Sequence, residues 1–155
     1  MQSTIDMVDA LLGDLSEALG ERIALDDSGR CGLVFSGEIE IIIEFVPDEE
    51  QLTFCSEILR PRPEDYACFR AALAMNYGRL PAGVWIALDS KTGIILLYAA
   101  LPIRGVGGEA VLKLVGRLVD LSQTLREELS LTPFVASSPG DFSSLQNAGA
   151  SIVRG

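Results

Sequence analysis

The sequence predicts an α/β fold of the α+β type: a mostly antiparallel, twisted sheet of about five to six strands with three helices, in the order α-β-β-β(-β)-α-β-β-α. Three observations predict it. Apolar residues recur at helical spacing near both ends of the chain and once in its middle. Short β-rich runs lie between these stripes, separated by Gly, Asp, Ser and Pro. The turns between runs are too short for crossovers, so neighbouring strands pair antiparallel.

The first helix opens at Ser3 and Asp6, an S-x-x-D capping signal. Ile5, Val8, Leu11, Leu12, Leu15, Ala18 and Leu19 follow at helical spacing, and Gly20 stops the helix. Met7 and Ala10 widen the apolar face beyond one stripe, as in a helix that serves both a core and something else. A strand is expected from Arg22 to Leu25, ended by the turn Asp26-Asp27-Ser28-Gly29. Cys31 to Phe35 is the next strand and Ser36-Gly37 the next turn. Ile39, Ile41, Ile43 and Phe45 then alternate with Glu40, Ile42 and Glu44, the period of a half-buried strand. Pro47-Asp48-Glu49-Glu50 breaks the run, and Leu52 to Ile58 forms another strand. Pro61 and Pro63 lead into a helix from about Glu64 to Tyr77, with Tyr66, Phe69, Ala72, Leu73 and Asn76 on one face. Gly78 and Pro81 end it. Val84 to Leu88 and Ile94 to Leu101 form a hairpin; its second strand is apolar on both faces, which predicts a central strand covered on both sides. A long helix from about Glu109 to Leu129 closes the domain, expected over residues 1–130. Residues 131–155, rich in Ser, Ala, Pro and Gly, are expected to be a flexible tail.

Composition narrows the function classes. The 155 residues carry 12 Lys+Arg against 22 Asp+Glu, a net charge of −10, which argues against binding a phosphate backbone. Hydrophobic residues make up 48% and the mean hydropathy is +0.32, which suggests apolar surface kept for a partner. Cys31, Cys55 and Cys68 are odd in number and form no C-x-x-C, so they are expected to be reduced thiols in a cytosol. The N-terminus lacks a basic segment of the secretory type. The longest apolar run, Ile94 to Ile103, contains Pro102 and falls well short of the roughly 18 residues of a membrane span.

No catalytic, metal or cofactor pattern emerges. Gly105-Val106-Gly107-Gly108 stands between a strand and a helix, where backbone N–H groups could hold a phosphate. It lacks G-K-[ST] and the third glycine of a dinucleotide fingerprint, and no later strand completes a βαβ unit. Asp27 to Glu38 has a faint calcium-loop spacing, but Gly29 and Cys31 offer no side-chain oxygen. The absence of histidine removes His triads, His metal sites and His proton shuttles. Glu127-Glu128 and Asp48-Glu49-Glu50 read as solvated charge. Trp85, the single tryptophan, reads as core or dimer interface.

Several local phrases, in their order and spacing, resemble the class I chaperones of bacterial type III secretion (the Tir-chaperone, CesT-like family). They are Leu11-Leu12-Gly13-Asp14-Leu15 in the first helix and the hairpin Asp26-Asp27-Ser28-Gly29-Arg30-Cys31-Gly32-Leu33. They continue with Ala71-Ala72-Leu73-Ala74-Met75-Asn76, which ends in a Leu-x-x-Asn phrase. Last come Trp85-Ile86-Ala87-Leu88-Asp89 and Gly93-Ile94-Ile95-Leu96-Leu97. The resemblance spans about residues 5 to 129. It implies a cytoplasmic bacterial homodimer with no enzymatic activity and no cofactor. It implies binding of the N-terminal segment of one or more secreted effectors, held extended without ATP. It also points to the secretion ATPase as a further partner, and to no nucleic acid and no membrane.

On that resemblance, residues in excess of one core face divide into two sets. Met7, Leu11 and Ala18 of the first helix, with Leu33, Phe35, Ile42 and Phe54 of the strands, are expected to line the effector groove. Phe69, Leu73, Trp85 and Ile95 are expected at the dimer contact. Two other readings remain open: a regulator of the same fold that sequesters a transcriptional activator or anti-activator, and a small enzyme using the Gly105–Gly108 loop.

Overall fold

A computed structural model describes residues 3–133. Most of the expected tail therefore lies outside the described residues. The element order is α1 (Thr4–Leu19), β1 (Arg30–Phe35), β2 (Ile39–Val46), a 3-10 turn at Pro47–Glu49, β3 (Gln51–Leu59), α2 (Tyr66–Ala74), β4 (Val84–Asp89), β5 (Ile94–Pro102) and α3 (Gly108–Ser130). The five strands form one antiparallel sheet in the order β1-β2-β3-β5-β4. The α+β expectation and the element order hold.

α1 starts at the expected capping box: Ser3 Oγ accepts from Asp6 N–H at 3.1 Å, and Asp6 Oδ2 accepts from Ser3 N–H at 3.1 Å. Gly20 ends it in the left-handed region at φ 71°, which glycine adopts without a Cβ penalty. The expected strand from Arg22 to Leu25 does not form. Ser16 Oγ accepts from Ile23 N–H at 2.8 Å and donates to Leu12 C=O at 2.7 Å, which fastens this stretch to α1 rather than to the sheet. α2 is shorter than expected. Asp65 caps its start, accepting from Cys68 N–H at 3.1 Å, and the chain leaves the helix after Ala74.

Strand parity divides the sheet into two unlike faces. Ile39, Ile41 and Ile43 of β2, Leu52, Phe54 and Ile58 of β3, and Ile95, Leu97 and Ala99 of β5 are buried. They pack with Val8, Leu11, Leu12 and Leu15 of α1 and Val111, Val115, Leu118, Leu125 and Leu129 of α3 in one core. β5 is central, as expected, but covered on that one face only. Ile94, Leu96, Tyr98 and Ala100 of its other face are only half-buried. No described element covers that second face, hereafter the open face.

Candidate functional site

The two edges of the sheet differ in what they leave unpaired. β4 is one edge, and β1 is the other. On β4, Asn76 sits in the turn after α2. Its Oδ1 accepts from Ile86 N–H at 2.7 Å, and its Nδ2 donates to Ile86 C=O at 3.1 Å. One side-chain amide thus takes the place a neighbouring strand would fill. Val84 N–H is satisfied by Pro81 C=O at 3.1 Å. The middle of this edge is thus plugged, while Val84 C=O and both backbone groups of Leu88 have no such partner among the described residues.

On β1, Phe45 N–H donates to Gly29 C=O at 3.0 Å, which fixes the ladder phase. Residues 31, 33 and 35 exchange bonds with β2, so Arg30, Gly32 and Val34 direct their backbone groups outward. Arg30 is satisfied by Asp26: its N–H donates to Asp26 Oδ1 at 3.1 Å, and its C=O accepts from Asp26 N–H at 2.8 Å. The Ser28 hydroxyl and the Arg30 N–H hold the Asp26 carboxyl below the usual carboxylate range. Beyond this closed turn, the N–H and C=O groups of Gly32 and Val34 have no backbone partner among the described residues. Val34 is 76% exposed. Unguarded edges are uncommon in proteins that must stay apart from other chains, and this strand carries neither Lys nor Pro.

The open face carries an apolar row that crosses every strand. The register places Gly32 opposite Ile42, Ile42 opposite Cys55, Cys55 opposite Tyr98 and Tyr98 opposite Trp85. The rings of Trp85 and Tyr98 stack at 5.0 Å, tilted by 43°. Burial raises the Cys55 thiol above its ordinary value, as it does those of Cys31 and Cys68, so none is an activated thiolate.

The expected effector-groove residues do not share one surface. Ile42 lies on the open face. Leu33 and Phe35 have the opposite parity and lean on the core at the β1 edge. Phe54, fully buried, is a core residue, because its parity points it at the helices. Leu11, 5% exposed, is likewise a core residue of α1; only its rim joins Met7, Ala10 and Val106 around a shallow cleft. Met7 is half-buried and Ala18 exposed. Of the expected dimer residues, Leu73 is 63% and Trp85 39% exposed, while Ile95 is buried at 1% on the helix face. Phe69, Leu73 and Ile95 nevertheless border one small pocket between α2 and β4. Tyr77 and Leu88, large and exposed in the same region, carry no surface signal in the sequence; Tyr66, which spacing puts on one helix face with Phe69 and Leu73, is exposed too.

The glycine-rich connection has a packing explanation. A Cβ on Gly108 would collide with the Asp14 side chain of α1, and Gly105 takes a left-handed φ of 75°. The Asp14 carboxylate stands beside the α3 N-terminus, where a phosphate would meet its charge. No group of acidic and cysteine side chains that could hold a metal is present among the described residues. No helix among them is long and apolar enough to cross a membrane.

Comparison with known proteins agrees with this arrangement. Residues 10–126 match the model of the Tir chaperone protein (CesT) family. No curated protein matches the chain. Among solved structures, the chain is similar to one in the ExsC-ExsE complex, with TM-score 0.70 and 19% identity over 83% of this chain and 96% of that one. It is also similar to one in the HopA1-SchA chaperone-effector complex, with TM-score 0.64 and 21% identity over 78% and 94%. A third is in the structure of the Yersinia pestis type III secretion chaperone SycH with a stable fragment of YscM2, with TM-score 0.56 and 23% identity over 76% and 98%. At these identities the likeness is one of fold.

Proposed function

The chain belongs to the Tir chaperone protein (CesT) family, and on that premise we propose that it is a type III secretion chaperone. It binds the N-terminal segment of one or more secreted effectors in extended form and keeps them soluble and secretion-competent, without ATP and without catalysis. The observation that carries this reading is the contrast between the two sheet edges: β4 is plugged at its central outward residue, Ile86, by Asn76, and β1 presents Gly32 and Val34 unpaired side by side. An extended client gains main-chain hydrogen bonds by adding a strand at β1, and its alternate side chains meet the open face and the Leu33–Phe35 rim. The acidic surface keeps a protein with such exposed apolar area dispersed in the cytoplasm.

Two copies pair through α2 and β4, where Tyr66, Leu73, Tyr77, Trp85 and Leu88 are exposed. Ordering a wrapped client opposes binding, and a paired scaffold offers the large area needed to offset that entropy.

Two proline variants and a native pull-down test this reading. The chain is tagged in its host and recovered under secretion-inducing conditions; bound proteins are identified and the complex is sized by light scattering. Val34→Pro removes an N–H that faces outward, so it blocks strand addition without breaking the β1–β2 ladder. Leu33→Pro removes an inward N–H and damages the fold itself. The expected result is a secreted protein held by two copies of the wild type and lost from Val34→Pro, whose unfolding is unchanged. Client retention by Val34→Pro would remove the β1 edge from the mechanism. A non-secreted transcriptional regulator as main partner would replace the chaperone assignment with a regulatory one.

A further inference from the structure

We propose that the β1 edge prefers client segments that alternate aliphatic with basic side chains, and that Glu40, reaching across a notch at Gly32, reads the basic one. The proposal rests on strand addition at β1 and adds to it the chemistry of the segment.

Geometry supplies the alternation. A client residue paired with Gly32 or Val34 directs its side chain to the open face, and the residue between them points to the opposite face. On that opposite face the neighbours are Leu33 and Phe35, both apolar and half-buried in the single chain. An aliphatic side chain there extends the core at its rim.

On the open face the surroundings are acidic. Parity places Glu40, Glu44, Glu57 and Asp89 on it, against Arg30 alone. Arg30 is already paired with Glu44 at 3.5 Å. Glu40 is exposed and has neither an ion pair nor a hydrogen bond among the described residues. Its carboxylate does not point away into solvent. Oε1 lies 3.2 Å from the place a Cβ on Gly32 would occupy, so it leans over the glycine toward the free edge. Glycine leaves that lane clear. A lysine or arginine on the added strand, opposite Gly32 or Val34, reaches Glu40 through it, whereas an acidic side chain there meets like charge.

The test uses labelled nine-residue peptides and fluorescence anisotropy at near-physiological salt. One probe alternates valine and lysine, a second alternates valine and glutamate, and a third has the first probe's composition in blocks. The valine–lysine alternation is expected to bind best. Glu40→Gln should weaken it about two- to fivefold, the range of an exposed ion pair. Glu40→Lys should shift the preference toward the valine–glutamate probe. Glu57→Gln, on the same face two strands in, should leave the ranking alone. Equal losses in Glu40→Gln and Glu57→Gln, or equal binding of the block isomer, would overturn the proposal in favour of general attraction to an acidic protein. Val34→Pro separates the two levels. If it abolishes binding while the Glu40 variants change nothing, the edge stands and the selectivity is wrong. If it changes no probe's binding, strand addition itself fails.

Discussion

Replacing Asn76 with alanine tests whether the β4 edge is closed by a side chain. The native amide makes two hydrogen bonds to Ile86, at 2.7 and 3.1 Å. A typical net contribution is about 0.5–1.5 kcal/mol per bond, so the pair is worth about 1–3 kcal/mol. Asn76 is itself exposed, and water can solvate Ile86 once the amide is gone. The lower end of the range therefore applies, about 1–1.5 kcal/mol. For a fold of this size that lowers Tm by roughly 3–6 °C. Trp85 lies one residue from Ile86, so its fluorescence in urea unfolding, at fixed protein concentration, reports the loss where it arises. The variant also exposes a second pairing edge, and light scattering should show association that rises with concentration. Asn76→Asp keeps the acceptor for Ile86 N–H but turns a carboxylate toward the Ile86 carbonyl, so it should not restore stability. Unfolding of Asn76→Ala within about 0.3 kcal/mol of wild type, with no added association, would refute the plug.

Three further outcomes follow from the packing and the charges. Gly108→Ala should cost about 1–3 kcal/mol in chemical denaturation, because the new methyl collides with the Asp14 side chain of α1. The same substitution at Gly116, where no neighbour lies near, should not destabilise. Ser122→Ala should be neutral or stabilise by up to about 1 kcal/mol in the same assay, since this fully buried hydroxyl has no partner among the described residues to offset its desolvation. Arg104 bonds to both Glu50 carboxylate oxygens at 2.6 Å and holds Glu50 below its ordinary value of 4.5. A depressed folded pKa means the contribution is full above 4.5 and is lost as pH falls through the lower folded value. The stability gap between wild type and Glu50→Gln should therefore be constant near neutrality and shrink below that pH.

Element order was legible because each element buries one face, and burial leaves a period in the sequence. Helical stripes at 5–19 and 109–129, and turns rich in Gly and Asp, need no tertiary information. What sequence left ambiguous was the face of each strand residue. Leu33 through Phe35 is all apolar, as is Ile94 through Leu97. A run with no polar parity mark does not say which alternate set meets the helices. Leu33, Phe35 and Ile42 were thus grouped in one groove, although the register puts the first two on the helix face and the third on the open face. Ile95, inside such a run, is core rather than surface; Phe54 is core too, on the parity opposite to Thr53 and Glu57. The sequence extends α2 too far because Asn76 fits a helical stripe, whereas its bond to Ile86, ten residues on, is tertiary.

The two edges explain how one small sheet can serve two kinds of partner without confusing them. Backbone pairing does not discriminate between sequences, so an edge open at both ends would capture other copies as readily as clients. Here Asn76 takes the central pairing position of β4, at Ile86, and the surface around it offers side chains: Leu73, Tyr77, Trp85 and Leu88. Such a surface selects by shape and suits a second copy of the same chain. β1 keeps its backbone free and offers few large side chains, with Gly32 at its centre. Such a surface tolerates many sequences and suits an extended segment of another protein. Moving the plug from one edge to the other should move backbone pairing with it. A chain carrying Asn76→Ala and Val34→Pro together should lose client capture at β1 and gain association through β4, read by light scattering as a mass that rises with concentration.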